Sequence, residues 1–130
     1  NPTSIKTFRG RILVAAGWKP GFSTDNDSVL LAENFGSDMV INLSNIKKVY
    51  SADPKLDPNA VPLDSISWKN MRKLVGDKWI PGVNVPFDPI ATKRASELGL
   101  MVITAAGNDT ENLKRILAGL NFIGTTIGPE

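Results

Sequence analysis

The chain contains neither cysteine nor histidine. Without cysteine there are no disulfides, no thiolate nucleophile and no thiolate-bound zinc. Without histidine, a Ser-His-Asp triad and His-ligated metal sites are excluded within the chain. No stretch approaches the roughly 20 apolar residues that a membrane-spanning helix needs, and no charged segment followed by an apolar one marks a secretory signal. The 15 basic and 13 acidic residues nearly cancel, leaving a net charge of +2. With no long basic run either, neither a membrane nor a nucleic acid is expected as a partner. Carboxylates, Lys, Arg, hydroxyls and backbone dipoles remain to carry any chemistry. Phosphoryl transfer fits that inventory, because its catalysis is largely positioning and charge stabilisation.

The 130 residues are expected to form a single domain, residues 1–130, long enough to bury one core. Residues 1–10 are polar and irregular and read as an edge segment. Arg11–Ala16 reads as a buried strand, followed by a helix over about Asn26–Phe35 that Gly36 ends. Asp38–Leu43 is a second apolar run, so strand, helix and strand form a βαβ unit and imply a parallel sheet. Ser67 caps a short helix through Leu74. Gly76–Pro86, with Trp79 and Pro81-Gly82, is Gly/Pro-rich. Asp88-Pro89 opens a helix to Leu98, with Asp at the N-cap and Pro at the first helical position, and Gly99 stops it. Leu100–Ala106 is a third buried strand, Glu111–Ala118 a last helix ended by Gly119, and Gly124–Ile127 a short closing strand. The apolar runs lack alternation, which indicates burial on both faces. The expected architecture is α/β: a three-layer α/β/α sandwich with a mostly parallel sheet. Ligands on such sheets bind beyond the carboxyl ends of strands, which places the loops 17–25 and 44–54, and Gly107, on one rim.

Four clusters stand out. The first is Gly17-Trp-Lys-Pro-Gly-Phe-Ser-Thr-Asp25, a Gly/Pro turn leading two hydroxyls and a carboxylate into a helix start. Free N–H groups there favour an anion, with Ser23 and Thr24 as further donors and Lys19 as a charge; alternatively Ser23 or Asp25 simply caps the helix. The second is Ser44-Asn-Ile-Lys-Lys-Val-Tyr-Ser-Ala-Asp-Pro54. Tyr50 can lie along a purine, Asp53 can accept from a ribose hydroxyl and Ser44 can reach a phosphate, or the loop is polar surface with Tyr50 packed inward. The third, Gly82–Ile90, ends in Asp88-Pro89, where capping accounts for Asp88. The fourth, Gly124-Thr125, reads as a strand-closing turn.

Taken in order and spacing, these clusters resemble the C-terminal half of uridylate (UMP) kinase, of the amino acid kinase superfamily. The family's Pro-Gly-x-(Thr/Ser)-Thr-Asp appears as Pro20-Gly-Phe-Ser-Thr-Asp25. Its Thr-Asn-Val-Asp-Gly-Val-Tyr-x-x-Asp-Pro appears as Ser44 to Pro54, its Phe-Asp-Pro-x-Ala as Phe87 to Ala91, and its Gly-Thr-x-Ile as Gly124 to Ile127. Pro-Gly ahead of the hydroxyls is similar to the archaeal type.

The resemblance implies a cytoplasmic enzyme of pyrimidine biosynthesis that makes UDP from ATP and UMP, with Mg²⁺ accompanying ATP. It implies that Asp25 is catalytic and approaches Mg²⁺ indirectly. Gly17, Pro20, Gly21, Ser23 and Thr24 would hold the acceptor phosphate, and Ser44, Asn45, Val49, Tyr50, Asp53 and Pro54 the ATP. Both turns would then open onto one shared cleft. The family's glycine-rich loops and phosphate-binding Lys belong to its N-terminal half, which nothing here matches. A chain of this kind alone is expected to be inactive, and to associate with itself or with a separate chain carrying the other half. Lys47-Lys48 stands where the family has Asp-Gly and is read as a solvated pair or an added phosphate contact. Trp18 and Lys19 replace smaller or acidic residues, which leaves the acceptor open to another nucleotide or a small phosphorylated metabolite. A non-catalytic nucleotide-binding or assembly module is the competing reading. A dinucleotide-binding domain is disfavoured, because no Gly-x-Gly-x-x-Gly follows the first apolar run.

Overall fold

The computed structural model describes residues 1–4, 7–78, 80 and 85–128. Each of its four helices begins on a side chain that takes up one of the N–H groups a helix start leaves unpaired. Ser23 Oγ accepts from Asn26 N ahead of α1 (Thr24–Phe35). Ser67 Oγ accepts from Asn70 N ahead of α2 (Trp68–Val75). Asp88 Oδ1 accepts from Ala91 N at 2.7 Å ahead of α3 (Pro89–Leu98), and Asp109 from Asn112 N ahead of α4 (Thr110–Leu117). At the other ends of α1 and α3, Gly36 and Gly99 adopt φ of 67° and 65°, the left-handed turn that returns the chain toward the sheet.

Four strands follow the order β1-β3-β4-β2: β1 (Met39–Ser44), β2 (Ser65–Ser67), β3 (Met101–Ala106) and β4 (Thr125–Gly128). The β1–β3 and β2–β4 pairs are parallel and β3–β4 is antiparallel, so the sheet is mostly parallel. Register explains why the apolar runs do not alternate with polar residues. Val40 lies opposite Val102, and Val102 opposite Ile127. These side chains join the core under α1, α2 and α3, with Val29, Trp68, Met71, Phe87 and Ala95. The intervening Ile41, Ile103 and Ala105 pack against Ile116 of α4 and Phe122 on the opposite face. Helices therefore cover both faces, giving the expected three-layer α/β/α arrangement.

The expected strand at Arg11–Ala16 is not formed. No strand pairs with it among the described residues, and Ile12 and Val14 are 82% and 87% exposed. An apolar run becomes a buried strand only where a neighbouring edge and cover on both faces are supplied. Here the run precedes α1 without either. Residues 1–4 form a turn, with Ser4 N donating to Asn1 O, and no strand occurs among the described part of 1–10. Trp79 and Pro81-Gly82 lie outside the described residues.

Candidate phosphate-binding cleft

The loop ahead of α1 is locally ordered. Phe22 N donates to Lys19 O at 3.2 Å, with Pro20 and Gly21 between them and Gly21 at φ 84°, the pattern of a type II turn. Lys19 Nζ lies 4.2 Å from the Trp18 ring centroid and 4.7 Å from that of Phe22, and the two rings meet edge-to-face at 5.0 Å. The cation thus rests on two aromatic rings. Trp18 N donates to Asp27 Oδ2 at 2.9 Å, which ties the loop to α1. At the helix start Asn26 N goes to Ser23 Oγ and Asp27 N to Ser23 O. The N–H groups of Thr24 and Asp25 have no partner among the described residues.

Asp25 is half-buried, and its Oδ2 accepts from Asp88 N at 2.9 Å. Burial pushes its carboxyl above the usual 3.8; the Asp88 N–H works against that rise, and the Asp88 charge adds to it. One bond from a backbone N–H to a side-chain carboxylate therefore joins the heads of α1 and α3. Between Asp25 and β1 lies a cleft of about 200 Å³, lined by Thr24, Asp25, Ser28, Val40, Ile41, Asn42, Leu43 and Phe87. Asn42 Nδ2 donates to Pro86 O at 3.1 Å and holds the segment before α3 over β1.

Ser44, the residue after Leu43, accepts at Oγ from Ile46 N, and its carbonyl accepts from Gly107 N at 2.8 Å. Gly107 therefore does sit at the carboxyl end of β1, as expected. Ser44 and the rest of the second cluster lie outside the cleft lining, which on β1 ends at Leu43. Asn45 is exposed. Val49 is fully buried; its N–H donates to Thr125 Oγ1 and its carbonyl accepts from Leu63 N, both at 2.8 Å. Tyr50 is half-buried and forms a single antiparallel bridge with Pro62. Asp53 and Pro54 are exposed, and Asp53 Oδ1 accepts from Lys55 N. Gly17, Pro20 and Gly21 are exposed and Ser23 caps α1; they too lie outside the lining. The cleft therefore brings Asp25 and Thr24 to β1, while Tyr50 does not line it. Lys48 pairs with Asp64 and Lys47 is exposed.

Two residues that the motifs did not single out shape this region. Asn42 is the one amide inside an apolar run, a signal legible in Met-Val-Ile-Asn-Leu-Ser. Asp27 carries no such signal, because its partner is a backbone N–H nine positions away. A magnesium ion carried by nucleotide phosphates keeps most of its waters. No group of three or more acidic side chains that could cage a metal occurs among the described residues. The half-buried Asp25 carboxylate fits a water-mediated approach to such an ion and nothing stronger.

The sequence pattern of the amino acid kinase family matches residues 5–105. Curated relatives include uridylate kinases of Methanospirillum hungatei, 34% identical over 119 residues, and Methanothermobacter thermautotrophicus, 37% identical over 122. These alignments cover 91% and 93% of this chain, but 50% and 54% of the relatives. The chain thus spans about half the length of the curated relatives it matches. Among solved structures, the uridylate kinase of Archaeoglobus fulgidus superposes with a TM-score of 0.72 at 35% identity, over 86% of this chain and 50% of that one. With the sequence pattern matched across most of its length and the same fold in its structural neighbours, the chain belongs to the amino acid kinase family.

Proposed function

We propose that the chain is the ATP-binding portion of a UMP kinase, which transfers the ATP γ-phosphoryl to UMP with Mg²⁺ and yields UDP. The observation that carries this reading is the head of α1. Two N–H groups without a partner among the described residues, the Thr24 hydroxyl and the Asp25 carboxylate meet there beside the β1 cleft, within Pro20-Gly-Phe-Ser-Thr-Asp25. The N–H pair and the helix dipole favour the acceptor phosphate, and Ser23 still has a hydroxyl proton to donate. Asp25, fixed by Asp88 N–H, orients the reacting groups. Mg²⁺, when bound with ATP, neutralises phosphate charge. Ser44 continues from the cleft wall toward the ATP side, with Asn45, Tyr50, Asp53 and Pro54 as the proposed nucleotide contacts. Val49 contributes through its place in the core.

The uridylate kinase names of the relatives support this substrate assignment. Because the chain spans about half of those proteins, it is proposed to be inactive alone and to work with a segment that supplies the phosphate-clamping Lys and glycines. A coupled assay of UMP-dependent ATP consumption should show no turnover by the 130-residue chain and turnover after co-expression with a chain carrying the N-terminal half. Binding of ATP analogues with no rescue by any complement would instead favour the non-catalytic module.

A further inference from the structure

The start of the loop before α1 is tied to the helix by one side chain. Asp27 is 5% exposed, and its Oδ2 accepts from Trp18 N at 2.9 Å across nine positions of sequence. Its other oxygen, Oδ1, is buried without a partner among the described residues. Holding a carboxylate out of water is costly unless it is well paired, and the only side-chain bond Asp27 makes among the described residues is to the loop. Between the two ends of that bond lies every residue from Lys19 to Asn26. The Lys19–Phe22 turn and the cation on the two rings order the loop tip. No other hydrogen bond joins the loop's first residues to α1 among the described residues.

We propose that Asp27 is a positioning residue for acceptor binding: it closes the 18–27 loop, so that the Thr24 and Asp25 N–H groups and the Ser23 and Thr24 hydroxyls converge before ligand arrives. The inference rests on the reading of this loop as the acceptor-phosphate site. A loop ordered in advance gives up less freedom on binding, which raises affinity without a new ligand contact. The bond requires an acceptor oxygen at this position and does not require its charge. The conservative amide is therefore the decisive variant.

The test uses amide NMR on the 130-residue chain, with UMP as the probe. In the wild type, the Trp18 amide exchanges with solvent at least about tenfold more slowly than that of exposed Lys19, and UMP shifts amides within 17–25. Asp27→Ala removes the Trp18 protection and weakens UMP binding about tenfold or more. Asp27→Asn, which keeps an oxygen of the same reach, restores both. Equal UMP affinity in the wild type and Asp27→Ala overturns the proposal while leaving the acceptor-loop reading intact. So does a folded Asp27→Asn as weak as Asp27→Ala. A wild-type Trp18 amide exchanging as fast as that of Lys19 also overturns it, and that measurement needs no variant to fold. If UMP shifts no amide of 17–25 in the wild type, the acceptor-loop reading fails and the proposal fails with it.

Discussion

Asp25 carries opposed demands. Burial raises its pKa above 3.8, so the folded state binds more protons than the unfolded one between the unfolded and folded values. This group therefore favours folding most below pH 3.8, and that contribution is lost as pH rises through the raised native value. Asp25→Asn removes the charge while keeping an acceptor for Asp88 N–H. Its melting temperature at pH 7 should equal or slightly exceed that of the wild type, and the difference should shrink as pH falls toward 4; a clear drop at pH 7 contradicts the account. In a complemented enzyme the same change should cost about a hundredfold or more in turnover. Thr125 presents the opposite case, a buried polar residue whose value is purely structural. Its hydroxyl donates to Leu63 O at 2.6 Å and accepts from Val49 N. Thr125→Val leaves the buried Val49 N–H and the half-buried Leu63 carbonyl unpaired, and should lower stability by about 1–3 kcal/mol in urea unfolding, without a change in m.

At the level of elements, α3 meets the site through its N-cap. Asp88 caps the helix with Oδ1 while its own N–H holds Asp25. Asp88→Ala should cost about 1 kcal/mol, and Asp88→Ser should recover most of it, as read by thermal unfolding. This cap was legible in Asp88-Pro89, as were Ser23, Ser67, Gly36 and Gly99, because capping depends on residues three or four positions apart. The strands β1 and β3 were legible as short apolar runs, and β4 as the closing Gly124–Ile127 segment. What escaped depends on distant partners. Ser65–Ser67 is too short to show a period and exists as β2 only because β4 lies beside it. Arg11–Ala16 has the composition of a buried strand, yet composition cannot say whether a neighbour is present. Of the candidate site, the motif pointed to Thr24 and Asp25, which line the cleft, whereas the burial of Val49 depends on partners distant in sequence. The Asp27–Trp18 bond had no sequence signal at all.

At the scale of the molecule, apolar surface is unevenly covered. Ile12 and Val14 are almost fully exposed, and β1 closes one side of the sheet with no strand beyond it among the described residues. Exposed apolar runs and open strand edges both promote association. The chain should self-associate at micromolar concentration in sedimentation velocity, and Ile12→Lys combined with Val14→Lys should shift it toward monomer; a monomeric wild type counts against this. The strand order carries a separate consequence. Among the described residues β4 follows the other three strands, yet it sits between β3 and β2. During synthesis on the ribosome, the β1–β3 pair and α1 and α3 can assemble early, but β2 waits unpaired until residues near Ile127 emerge. Its backbone and the Ile66 side chain stay available to wrong partners for that interval, so a strand made after β2 is the keystone that joins it to β3.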